Sequence, residues 1–303
     1  MIPLVYLLLA KITAVAKIVA LKICGNNATG ARNSVKINLI RSLGCVIVSL
    51  VVWAFSSRVQ MDGVGVWLSL LSGVSNALLL CTWILAAERT SLCVVELFSM
   101  LGAVALPLLL APLLYEGERV SALQWCGVAL LFISVFFFTT STPKEKSEEK
   151  TPKQKTTYLL LILCSLANAG AVISQKLFMT YAKGNVANFQ LWTFAVVAFL
   201  FGCIFLTFSA KKNHKKNREA ETMRFSVKVW IGIGVATVML YASQFFSTKA
   251  SAAFPSAIFY PLSYAVSMPL TFLSDVFIFH EKVTFRKLLA LLFIACSILL
   301  IHL

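Results

Sequence analysis

Lys11, Lys17, Arg41 and Glu96 lie inside long apolar runs of this sequence. A charge at the centre of a hydrocarbon layer costs at least ~2.5–3.5 kcal/mol unless it is paired or hydrated. Each of these side chains therefore needs a partner or a wet cavity. Their chemistry is recognition by charge: Lys and Arg suit a carboxylate or phosphate, and Glu96 suits a counter-charge or a proton site. Helical rise places Lys17, Arg41 and Glu96 each roughly 8 Å from one end of its run. If those ends lie on one side, the three share a depth. They then form a buried network joining three helices, form a cavity wall with surplus positive charge, or snorkel towards the headgroups. Lys11 falls roughly 16 Å from the same side, near the midplane, and no acid obviously matches its depth. It reads as a water-solvated wall residue or as a substrate or proton site.

Uncharged polar groups inside other runs extend the set. Tyr260 and Tyr264 are four residues apart and share a helical face, with Ser256 and Ser267 along it. Asn76, Asn168, Gln175, Trp192 and Gln244 add amides and an indole. Singly, each suits hydrogen bonding between helices; together they suit a polar, mixed-charge small molecule. Pro107, Pro112, Pro255, Pro261 and Pro269 free backbone carbonyls inside or beside apolar runs, which is tolerable where protein or cavity water replaces the lost donor. No nucleophile elbow, HExxH pair or phosphate-binding Gly loop occurs, and His214, His280 and His302 are scattered. No enzyme, ATP-driven pump, metal or cofactor is expected. The eight cysteines have no CxxC spacing and read as packing residues.

The elements that must position these groups follow from composition. The chain has 303 residues, 59% hydrophobic and 13% charged, too apolar for a soluble domain with about a quarter charged. Ten apolar runs of membrane-spanning length fall near 2–22, 36–56, 65–86, 91–114, 121–141, 157–180, 188–210, 228–248, 252–279 and 284–302. The expected fold is an all-α polytopic membrane protein.

Two stretches repeat a layout. Glu118-Arg119-Val120-Ser121 and Glu281-Lys282-Val283-Thr284 each follow a Pro-containing run and precede an apolar one, 163 residues apart. Tyr6-Leu7-Leu8-Leu9 matches Tyr158-Leu159-Leu160-Leu161, and Lys22 and Lys176 close their runs at nearly the same offset. The Glu of each tetrad favours a following helix dipole, with Ser121 and Thr284 as N-cap candidates. The expected organisation is a five-helix unit over 1–141, a charged linker over 142–156 and a second five-helix unit over 157–303. Five spans per unit make the copies inverted, with a path along their interface.

Of the 27 Lys and Arg, 19 fall on the linker side, five on the opposite side (Arg58, Arg119, Lys176, Lys183, Lys249) and three inside spans. The positive-inside rule puts the linker and the loop 211–228 in the cytoplasm and both termini outside. Trp53, Trp67, Trp125 and Trp230, near run ends, suit an interfacial belt.

Ten spans in two halves, Lys22 closing span one, Arg41 inside span two and the two tetrads together resemble the EamA-like transporters of the drug/metabolite transporter superfamily. The resemblance implies a ten-helix bundle with a central cavity and movement of small molecules, often efflux, across a bacterial inner or plasma membrane. The reading is a secondary transporter of small polar metabolites, amphoteric or anionic, and exported. The alternatives are a broad drug exporter and a non-transporting membrane protein, either a lipid-handling enzyme or a scaffold. The expected partners are a small-molecule substrate and the lipid bilayer. A homodimer is left open, and nucleic acid is not suggested.

Overall fold

The computed structural model describes residues 2–25, 31–56, 59–87, 89, 92–115, 120–140, 154–213, 226–278 and 283–302. Among these residues there are ten α-helices and no strand. They are α1 (Ile2–Gly25), α2 (Ala31–Phe55), α3 (Gly63–Ala87), α4 (Leu92–Leu114), α5 (Ala122–Thr140), α6 (Gln154–Tyr181), α7 (Val186–Asn213), α8 (Val227–Ser251), α9 (Ser256–Phe277) and α10 (Phe285–His302). Seven of them are long and apolar enough to cross a membrane, whereas α4, α5 and α10 carry the shorter apolar stretches Phe98–Leu114, Ala122–Ser134 and Leu288–Leu300. Helices suit this composition because each satisfies its own backbone where water is absent.

Two boundaries differ from expectation. The helix α6 starts at Gln154, inside the expected linker, and α7 runs to Asn213, taking in the start of the expected 211–228 loop. Both ends are polar, where water or headgroups solvate the last backbone groups, so the helix need not stop where the apolar run does. The remainder of the linker, residues 214–225, and Glu118, Arg119, Glu281 and Lys282 lie outside the described residues.

The helix starts show why the chain breaks where it does. Asp62 caps α3 by accepting the Gly65 N–H at 2.8 Å, and Asn185 caps α7 through the Ala187 N–H at 3.0 Å. Ser121 forms a reciprocal box with Gln124 at the head of α5: the Gln124 N–H donates to the Ser121 hydroxyl, and the Ser121 N–H donates to the Gln124 side chain. Thr284 does not act in this way. Its hydroxyl is buried without a partner, and its backbone carbonyl receives the Leu288 N–H. Between α8 and α9, Pro255 stands at the N-cap with extended backbone and separates the two helices.

The principal packing pairs are α1 on α8, α3 on α6, α5 on α10, α2 on α7, α4 on α6 and α3 on α7, followed by α2 on α8 and α1 on α9. In lipid, the force between helices is close packing of small residues, not expulsion of water. Gly102 of α4 lies against the Ser165 backbone of α6, Gly73 of α3 against Thr193 and Val196 of α7, and Gly44 of α2 against Thr237 of α8. Apolar clusters fill the remainder; the largest joins Val104 and Leu108, Val128 and Leu131, Ala257 and Ala265, and Ile294, from α4, α5, α9 and α10. Outward faces stay apolar: only 17% of the apolar window of α1 is buried. So much exposed apolar surface fits a multi-pass membrane protein with lipid around it. Trp67 and Trp230 are exposed near helix ends, as an interfacial belt requires.

Candidate functional site

A cavity of about 90 Å³ opens between α1, α2, α3, α7 and α8. That volume holds several waters but is smaller than a drug-sized site of roughly 300–1,000 Å³. Lys17 of α1 lines it beside Asn38, Arg41 and Ser42 of α2. Asn76, Leu79 and Leu80 of α3, Phe194 and Val197 of α7, and Leu240 and Gln244 of α8 complete the wall. Lys17 and Arg41 thus stand on one cavity wall. Asn38 precedes Arg41 by three residues, one helical turn, and so shares its face.

Arg41 is 6% exposed. Its Nη1 donates to Asn38 Oδ1 at 3.0 Å, while its Nε is buried with no hydrogen-bond partner. The Asn38 carbonyl accepts the Ser42 hydroxyl, which stiffens the same turn. Gln175 donates from α6 to the Gln244 side-chain oxygen. Asn76 donates back to the Ser72 carbonyl at 2.8 Å, which leaves its own oxygen as an acceptor on the wall. Glu96 lies on α4, but its side chain is outside the described residues, as are those of Lys22 and Asp275.

A second group meets on α1 and three further helices. The Lys11 ammonium of α1 sits 5.3 Å from the centre of the Tyr264 ring of α9. Asn168 of α6 reaches the Tyr264 hydroxyl at 3.4 Å and donates to the Ser99 carbonyl and hydroxyl of α4 at 3.0 and 2.8 Å. A cation over an electron-rich ring face is a genuine attraction, so Lys11 has an aromatic partner where an acid was sought.

Two expected site residues stand elsewhere. Tyr260 is fully buried in the α1–α8–α9 packing, with its hydroxyl 3.2 Å from that of Tyr115. Trp192 is 47% exposed on α7 and does not line the cavity; Phe194, two residues on, takes that place. Two residues turn a helix by roughly 200°, so the two rings point to opposite sides.

A cation read from the sequence as a repeat marker and a topology charge is also buried. Lys176 of α6 is 5% exposed. Its ammonium donates to the Ser251 carbonyl at 3.1 Å and to that of Phe254, and it lies 5.5 Å from the Tyr115 ring centre. It thus caps the end of α8, where carbonyls lack helical donors and a cation is favoured. Near it, Lys249 sits 4.6 Å from the Phe245 ring centre and 5.4 Å from that of Tyr6.

On the same side, opposite the linker, the 59–62 segment meets the loop between α6 and α7. The Asp62 N–H donates to the Lys183 carbonyl at 3.1 Å, and Asn188 donates to the Val59 carbonyl at 2.9 Å. The Gly65 N–H and then the Lys183 N–H hold the Asp62 carboxyl below the usual carboxylate range. Among the described residues, no three His, Cys, Asp or Glu side chains converge as metal ligands, and Cys45, Cys81, Cys126, Cys164, Cys203 and Cys296 are free thiols.

No family model matches the sequence, and no curated protein does. Solved structures do match the fold. One, described only as "Crystal structure of protein", superposes over 98% of both chains with a TM-score of 0.73 at 14% identity. At that identity the likeness is one of fold.

Proposed function

We propose that the chain is a secondary transporter of small polar metabolites, amphoteric or anionic, which it exports by alternating access. In this reading it is an EamA-like member of the drug/metabolite transporter superfamily, with ten transmembrane helices in two inverted five-helix repeats. It sits in a bacterial inner or plasma membrane with the linker in the cytoplasm.

The observation that carries the proposal is the position of the charged cavity. Helices of the first half (α1, α2, α3) and of the second (α7, α8) enclose it together, and Lys17 and Arg41 stand on its wall. That is where a path between repeats is expected. Packing supports the repeat: exchanging α1–α5 with α6–α10 turns α1 on α8 into α6 on α3, α2 on α8 into α7 on α3, and α4 on α6 into α9 on α1, all present. The pairs α2 on α7 and α5 on α10 map onto themselves. Gly44 against Thr237 and Gly73 against Thr193 are close approaches in two helix pairs, α2 on α8 and α3 on α7, that this operation exchanges.

The test is counterflow in proteoliposomes against labelled amino acids, nucleosides, sugars, organic anions and quaternary cations, with Lys11→Met beside wild type. The expected outcome is saturable exchange of an anion or zwitterion, abolished in Lys11→Met at unchanged protein abundance. Absence of exchange for the whole panel, from protein that is monodisperse and correctly inserted, overturns the transport reading. Normal exchange by Lys11→Met removes Lys11 from the path.

A further inference from the structure

Arg41 has one edge of its guanidinium engaged and another unmatched. With Nη1 on Asn38 and Nε buried without a partner, the hydrogen-bonding edge left over is the one formed by Nε and Nη2. That edge presents parallel N–H groups in the geometry that a carboxylate accepts through both oxygens. Around it, Asn76 and Gln244 supply amides, whereas Leu79, Leu80, Phe194, Val197 and Leu240 form an apolar wall. Gln175 occupies the Gln244 oxygen, so the amide N–H groups of Gln244 add donor character to the wall.

We propose that this cavity recognises a small organic anion with an apolar body, its carboxylate on the Nε/Nη2 edge of Arg41 and its carbon skeleton against Phe194 and Leu240. The inference rests on the transport reading for its purpose and on Arg41 alone for its chemistry. A pairing of Lys17 with another side chain leaves it intact. Asn38 is a positioning residue: it holds Nη1 and thereby selects the edge that faces the ligand. Nε is covered in this conformer, so the carboxylate reaches it once the groups that cover it move aside. A cation of the same shape meets Arg41 as repulsion and leaves the guanidinium unmatched, so discrimination by charge is built into the wall.

The test uses three compounds with one isobutyl body: 4-methyl-2-oxopentanoate (anion), leucine (zwitterion) and leucinol (cation). Binding to the full-length protein in nanodiscs is read by calorimetry, and counterflow is read in proteoliposomes. The expected order of affinity is oxo acid over leucine over leucinol. Arg41→Lys, which keeps the charge and loses the fork, weakens the oxo acid at least tenfold; Arg41→Gln abolishes its binding. Gln244→Glu, which places a carboxylate on the facing wall, reverses the order even if the Arg41 variants fail to fold. Preference for leucinol by wild type, or oxo-acid affinity unchanged in Arg41→Lys or in Gln244→Glu, overturns the anion site. Exchange of leucinol in that case leaves the transport reading standing. Arg41-dependent binding of the oxo acid without counterflow of any compound upholds the site and overturns transport.

Discussion

Replacing Gly102 with Ala tests how closely the bundle is packed at its centre. A Cβ on residue 102 would stand 1.9 Å from the Ser165 carbonyl oxygen and 2.5 Å from its carbon, where real Cβ contacts essentially never fall below 3.0 Å. The obstacle is backbone, so no rotamer change relieves it. The helices α4 and α6 must separate by about 1.1 Å, the difference between 1.9 and 3.0 Å. Ser99 lies one turn before Gly102, and Asn168 one turn after Ser165. Their hydrogen bonds of 2.8 and 3.0 Å would stretch to roughly 4 Å, beyond useful reach. Overpacking costs ~1–3 kcal/mol, the lost interhelical bonds add about 1 kcal/mol, and the helical preference of Ala over Gly returns up to ~1 kcal/mol. The net expectation is a destabilisation of about 1–4 kcal/mol. Gly202 and Gly234 are internal controls, because a Cβ there meets nothing within 4 Å. Their Ala variants should be unchanged or up to ~1 kcal/mol more stable. Reversible unfolding in mixed detergent micelles measures all three. If Gly102→Ala matches the two controls, α4 and α6 are not in backbone contact and the central packing described above is wrong.

Two further substitutions probe the side opposite the linker. Lys176→Met removes charge-assisted bonds to the Ser251 and Phe254 carbonyls and strands the end of α8; it should cost about 2–4 kcal/mol after relief of the buried charge is deducted. An unchanged unfolding midpoint would show that those carbonyls find other donors. For Asp62 the sign follows from its lowered carboxyl: the stabilisation is fully present above the unfolded value of about 3.9 and is lost as pH falls through the folded value. Asp62→Asn should therefore melt below wild type at pH 6, with the gap closing once the pH falls well under 4. A gap that is constant with pH would mean that the ionised carboxylate contributes nothing there.

That Lys17 and Arg41 come together was legible in the sequence, because rise per residue is fixed along a helix. Counting residues put Lys17 and Arg41 at one level, and they line one cavity. Rotation about the helix axis was harder to read. In α7 the signal was present but lay in other residues: the polar Gln190 and Thr193 are buried and mark the inner side that Phe194 shares, whereas the amphipathic indole of Trp192 points outward. Asn38 was recoverable: it stands three residues before Arg41, and a polar residue one turn from a buried charge shares its face. The role of Lys176 was not, since its partners are carbonyls at the end of α8 and at Phe254, and every residue has a carbonyl. Helix ends ran past the apolar runs at Gln154 and Asn213 because hydropathy marks where lipid ends, and hydrogen bonding continues beyond it.

The partners of the interior cations carry the last step. A search for an acid at the depth of Lys11 finds none, and the structure gives it the ring of Tyr264. Arg41 likewise takes the amide oxygen of Asn38. A ring face and an amide are dipolar or quadrupolar partners: they lower the energy of a cation without cancelling its charge. An acid in either place would neutralise the site and leave little for a ligand to gain. Holding Lys11 and Arg41 by neutral groups makes both cations tolerable inside the bundle and keeps their field available. In the proposed anion site an incoming carboxylate would gain a charge pairing with Arg41 that no described residue makes. This is why the identity of the neutral partners, more than the number of cations, argues for an anionic cargo.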